Sequence, residues 1–149
     1  VETARANAEQ NDAVNVDFRL GEIEHLPVAD GSVDVVISNC VVNLSPEKEQ
    51  VFEEAYRVLR AGGRLAISDV VLTAELPADL QEDPSSLAGC VGGASSIPAL
   101  ESMLDEAGFV NVVIEPKAES DEFIREWSDE HDLSDYIVSA TIEAEKPGR

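Results

Sequence analysis

The sequence has 149 residues, with 31 acidic against 10 basic side chains and a formal charge of -21. Such a surface repels nucleic acid and anionic membrane, so neither is an expected partner. A hydrophobic content of 44% suits one folded domain, and the two cysteines, at 40 and 90, fit neither a disulfide framework nor paired zinc spacing.

Val1 to Gln10, with Ala4, Ala6 and Ala8 among polar residues, reads as the tail of a helix ending near Asn11 and Asp12. Val16 to Leu20 reads as a short strand, and Gly21-Glu22-Ile23-Glu24-His25-Leu26-Pro27 leaves its carboxyl end. Ala29 to Ser32 is a turn. The near-continuous apolar run from Val33 to Ser38 predicts a central parallel strand covered on both faces. Asn39 and Cys40 then stand beyond its carboxyl end, where open parallel sheets hold ligands. A helix is expected from an N-cap at Ser45, with Pro46 in its first turn. It presents Val51, Phe52, Ala55, Val58 and Leu59 on one face and closes at Gly62 and Gly63. Arg64 to Val71 is the next strand, completing a strand, helix, strand unit of the α/β class.

Leu72 to Gly93 is punctuated by Pro77, Pro84, Gly89, Gly92 and Gly93, and reads as a long connection with short helical turns at most. Cys90 falls within it, on the same sheet edge as Cys40. A helix is predicted over Pro98 to Ala107, with Leu100, Met103, Leu104 and Ala107 inward and Gly108 as its stop. Val110 to Glu115 is a strand, Asp121 to Trp127 a short acidic helix docking Phe123, Ile124 and Trp127 on the sheet, and Tyr136 to Glu145 the final strand. Asp69, at a strand end, reads as a loop-capping acid, and His25 and His131 as surface histidines. The acidic stretch from Glu119 to Asp135 lacks a calcium-loop pattern and reads as a solvated face.

The segment Asp34-Val-Val-Ile-Ser-Asn, the helix ending Tyr56-Arg57-Val58-Leu59-Arg60-Ala61-Gly62-Gly63-Arg64-Leu65, and Gly21-Glu22-Ile23-Glu24 with Leu26-Pro27 resemble class I S-adenosylmethionine-dependent methyltransferases. Within that family, the contexts Ser38-Asn39-Cys40-Val41-Val42-Asn43-Leu44-Ser45-Pro46 and Gly89-Cys90-Val91-Gly92-Gly93-Ala94, with Glu122 to Trp127 and Tyr136 to Pro147, look like arsenite methyltransferases. The resemblance implies a Rossmann-like methyltransferase sheet of which residues 1–149 are a partial domain lacking the first two strands. No G-x-G-x-x-G or G-x-G-x-G pattern occurs in the sequence, so the isolated stretch is expected to be inactive or nearly so.

The resemblance further implies S-adenosylmethionine as cofactor, with Gly21, Glu22, Ile23 and Asn39 beside it, and arsenite as the small-molecule substrate. Cys40 and Cys90, if they converge, hold trivalent arsenic as a dithiolate, soft sulfur suiting a thiophilic centre. Two ordinary buried thiols, or a disulfide between them, are the alternatives. Glu22 and Ile23 read otherwise as a solvated acid and a core residue, and Asn39 as a turn former. A methyltransferase for a carbon or oxygen nucleophile, and a non-catalytic thiol-based ion-binding or assembly domain, remain open. In the family the two missing strands lie between the strand at 16–20 and that at 33–38. The gap is then closed by direct pairing of those strands, by self-association through the open edge, or by a longer polypeptide. No apolar run approaches the roughly 20 residues that span a bilayer and no leader pattern opens the sequence, so the cytoplasm is expected. Acids spread along the whole length suggest adaptation to high salt, an ordinary acidic cytosolic protein being the plainer reading.

Overall fold

A computed structural model describes residues 1–82, 90–127 and 132–148. Its elements follow the expected alternation: α1 (Glu2–Gln10), β1 (Val33–Asn39), α2 (Lys48–Val58), β2 (Leu59–Leu72), α3 (Ala78–Glu82), α4 (Ile97–Ala107), β3 (Val110–Pro116), α5 (Asp121–Arg125) and β4 (Ile137–Glu145). The strands form one sheet in the order β1, β2, β4, β3. β1 runs parallel to β2, joined through α2, and β4 is antiparallel to both β2 and β3.

Apolar periodicity explains the packing. Phe52, Ala55 and Val58 of α2 and Leu100 and Leu104 of α4 are buried, and most join Leu65, Ile67, Val138, Ala140 and Ile142 of the sheet in the main core. A second cluster, Val70, Leu76, Leu80, Val91, Ile124, Leu133 and Ile137, covers the opposite face near the carboxyl end of β2. α4 starts at Ser96, whose hydroxyl accepts from the Ala99 amide, and stops at left-handed Gly108.

Several expectations are corrected. β1 is an edge strand rather than a central one: it ends the sheet order among the described residues, and Val35 and Ile37 are 37% and 78% exposed. Residues 16–20 form no strand. A strand is stabilised by its ladder, and among the described residues neither this segment nor the free edge of β1 has a ladder partner. Arg5 instead ties the segment to α1 by donating to the Phe18 carbonyl at 2.8 Å, so direct pairing of the two strands does not occur.

α2 begins at Lys48 without a side-chain cap, and Ser45, placed just before it, accepts from the Glu47 amide. It ends at Val58, before the Gly62-Gly63 pair, because fully buried Leu59 turns into the sheet opposite Val33. Gly63 then lies so close to β1 that a Cβ there would meet the Asp34 carbonyl oxygen at 3.0 Å and that of Arg60 at 2.9 Å. In α5 Ile124 is buried and Phe123 is 46% exposed, stacked edgewise on Trp127 instead of docked on the sheet. His131 lies outside the described residues.

Candidate active site

Parallel pairing of β1 and β2 brings their carboxyl ends to one edge, with Asn39 opposite Ser68 in the ladder. The Cys40 amide donates to the Ser68 carbonyl at 2.8 Å, the last bond before the chain turns away. Cys40 itself has φ +53, a left-handed conformation that L residues other than glycine adopt at a cost of about 1 to 2 kcal/mol. The loop after β2 returns to the same place, and the Cys90 thiol donates to the Cys40 carbonyl oxygen at 3.9 Å. Both cysteines are free thiols, Cys40 exposed and Cys90 half-buried. The disulfide alternative is therefore not the state of this structure. Burial, followed by the nearby Asp69 carboxylate, pushes both thiols above the ordinary thiol pKa, and the charge of a Cys90 thiolate raises Cys40 further.

A buried polar cluster supports the pair. Asp69 is 2% exposed and accepts from the Val70 amide at 2.9 Å and the Asn43 amide at 3.3 Å, so it is the loop-capping acid its position suggested. Burial raises its pKa, and these amides together with Lys48 oppose the rise. Asn43, in the 3-10 turn Val42–Leu44, donates from Nδ2 to the Val70 carbonyl at 2.8 Å and to the Cys90 carbonyl at 3.2 Å. Lys48 donates to the Gly93 carbonyl and, at 2.7 Å, to the Ser95 hydroxyl. Neither Asn43 nor Lys48 was singled out from the sequence. The available signal was slight, a lysine in a helix's first turn where the whole sequence has only three.

On the other side, Gly21 packs against Pro27, where a Cβ would come within 2.5 Å of the proline ring. Glu22 and His25 bridge a tight turn that leaves Glu22 exposed and directs Ile23 onto the main core. α2 latches this loop: the Ser45 hydroxyl donates to Glu24, Gln50 donates to the Glu24 carbonyl at 3.0 Å, and Glu54 accepts from the Leu26 amide at 2.8 Å. Arg57 donates to the Leu26 and Val28 carbonyls and pairs with Glu54 and Asp30. Between this loop and β1 lies a cavity of about 320 Å³, lined by Ile23, Leu26, Val36, Asn39, Val41 and Phe52 among others. Asn39 and Val41, which line the cavity, flank Cys40 in the chain. Ile23 and Asn39 are thus brought to one pocket, while Gly21 and Glu22 stand behind and outside its wall.

A family model described as a methyltransferase domain matches residues 1–108. The chain belongs to this methyltransferase family. It is 65% identical over 149 residues to an arsenite methyltransferase of Halobacterium salinarum, covering all of this chain and 38% of that protein. To the human arsenite methyltransferase it is 44% identical over 100 residues, 65% of this chain and 27% of that one. The chain therefore spans well under half the length of these curated relatives. Among solved structures it resembles CrArsM, an arsenic (III) S-adenosylmethionine methyltransferase from Chlamydomonas reinhardtii, with TM-score 0.70 and 31% identity over 97% of this chain and 50% of that one.

S-adenosylmethionine is the cofactor of the family, and the residues present fit one flank of it. The cavity offers an apolar wall in Ile23 and Leu26 and a polar group in Asn39, the last residue of a parallel strand. The 149 residues contain no glycine-rich loop for the other flank.

Proposed function

We propose that residues 1–149 are a partial class I methyltransferase domain that holds the methyl acceptor, arsenite, through Cys40 and Cys90. The observation that carries this reading is the Cys90 thiol lying 3.9 Å from the Cys40 carbonyl, beside the cavity at the end of β1. The 65% identity to a protein named for arsenite supports it. Capture is a balanced exchange: two thiols and arsenous acid form two As–S bonds, and two hydroxyls leave as two waters with the thiol protons. Arsenic stays trivalent and keeps its lone pair, so it is the nucleophile.

S-adenosylmethionine, when bound, supplies a methyl group on a sulfonium centre. Ile23 pins one wall of its pocket, Asn39 offers hydrogen bonds at the strand end, and Gly21 and Glu22 shape the loop behind that wall. Displacement at that carbon needs little proton transfer, so the protein's contribution is alignment of the arsenic with the methyl. Because these residues supply one flank alone, the 149 residues by themselves turn over little or no substrate. The acidic surface suits a cytosol of high ionic strength.

The test uses the full-length protein carrying this chain. Cys40→Ser and Cys90→Ser each abolish methylarsenic product measured by mass spectrometry, while calorimetry finds S-adenosylmethionine affinity unchanged. Methylarsenic formation that persists in both variants overturns capture by these two thiols, and methyl transfer to a carbon or oxygen compound with no methylarsenic from the unsubstituted protein overturns arsenite as the acceptor. Arsenite uptake without any methyl transfer in the full-length protein leaves an ion-binding domain.

A further inference from the structure

Asn43 and Lys48 are 5% and 6% exposed, yet both carry strong donors. Each spends them on the loop that bears Cys90. Asn43 reaches the Cys90 carbonyl at 3.2 Å while also bonding β2 through the Val70 carbonyl. Lys48 reaches the Gly93 carbonyl and the Ser95 hydroxyl. Burying an ammonium group is costly unless its protons are all engaged, and a neutral side chain would have satisfied one loop carbonyl.

We propose that Asn43 and Lys48 are positioning residues that grip the Cys90 loop by its backbone and thereby set the spacing of the Cys40 and Cys90 thiols. This rests on the reading of the two thiols as arsenic ligands. Fully buried Val91 fixes the depth of the loop in the second core cluster. An apolar anchor at one residue leaves the loop free to rock about that point, and rocking moves the neighbouring Cys90 sulfur away from Cys40. The two polar grips, on the residue before Val91 and on the second residue after it, remove that freedom. Both originate in the short segment that follows Cys40, so the same piece of chain fixes both thiols. Burial pulls the Lys48 pKa down while Asp69 and Glu49 oppose the fall, consistent with an ammonium retained at this depth by neighbouring carboxylates.

The test uses the chain loaded with phenylarsine oxide, whose arsenic forms two bonds to two thiols as its oxygen leaves in water, without redox change. Release is titrated with 2-mercaptoethanol. In Lys48→Met and in Asn43→Ala the concentration that releases half the reagent falls about tenfold, as a hundredfold loss of effective thiol concentration requires. Lys48→Arg, which keeps a charged donor, stays within about threefold of the unsubstituted chain. Circular dichroism identifies variants that fold, and Asn43→Ala decides the matter if Lys48→Met does not. A midpoint within about twofold of the unsubstituted chain in the folded variants overturns the proposal. If the unsubstituted chain itself releases the reagent as readily as Cys90→Ser, the pairing of the thiols fails, and the positioning role fails with it.

Discussion

Replacing Cys90 with serine measures how close the two thiols are held. The Cys90 sulfur lies 3.9 Å from the Cys40 carbonyl oxygen. Confinement of one thiol to a sphere of radius about 5 Å around the other corresponds to a local concentration of about 3 M. A free monothiol must compete with that concentration to open the first As–S bond. Take each As–S bond as equal in strength to the one the monothiol makes. Then about 10 µM chain loaded with one equivalent of phenylarsine oxide retains about four fifths of it in about 1 mM 2-mercaptoethanol. Cys90→Ser has one bond and no local competitor, and it retains about one hundredth under the same conditions. Gel filtration followed by arsenic measurement on the protein fraction reads the difference directly. Retention below about one tenth by the unsubstituted chain, equal to that of the variant, would refute convergence of the thiols.

Three further outcomes are expected. Because burial and Asp69 raise both thiol pKa values, the reactive thiolate is a minor species at neutrality, so iodoacetamide labelling accelerates about tenfold per pH unit from 7 to 9 without a plateau. A plateau below pH 8, followed by mass spectrometry, would contradict that direction. Cys40→Gly removes a side chain from a left-handed position with φ +53, so thermal unfolding shows it at least as stable as Cys40→Ser, by about 1 kcal/mol; a less stable glycine variant sinks the strain argument. With a charge of -21 on 149 residues, the unfolding temperature rises between about 0.1 M and 1 M KCl as the screening length drops from about 10 to about 3 Å, and calorimetry that found it flat or falling would refute a surface limited by self-repulsion.

The unit from Val33 to Leu72 was legible because its signals are local. An apolar run reads as a strand, and a stripe at Val51, Phe52, Ala55 and Val58 reads as one helix face, whatever surrounds them. That Cys40 and Cys90 share an edge also followed from the sequence, since each comes after a strand of a parallel pair. The segment at 16–20 and the expected centrality of β1 were not legible. Both depend on which strands lie alongside, and the free edge of β1 leaves Ile37 exposed however strand-like its sequence is.

Composition and periodicity by themselves determined the α/β class, the strongly negative charge, and the placing of Cys40 and Cys90 after two adjacent parallel strands. Only the tertiary structure decided that the thiol of Cys90 reaches the backbone of Cys40, and that Asn43, Lys48 and Asp69 hold the ground beneath them. The reason is range. Helical and strand periods are written in neighbouring residues, whereas Lys48 and Ser95 are 47 positions apart in the chain and meet because the connection before β2 and the one after it come to the same end of the sheet.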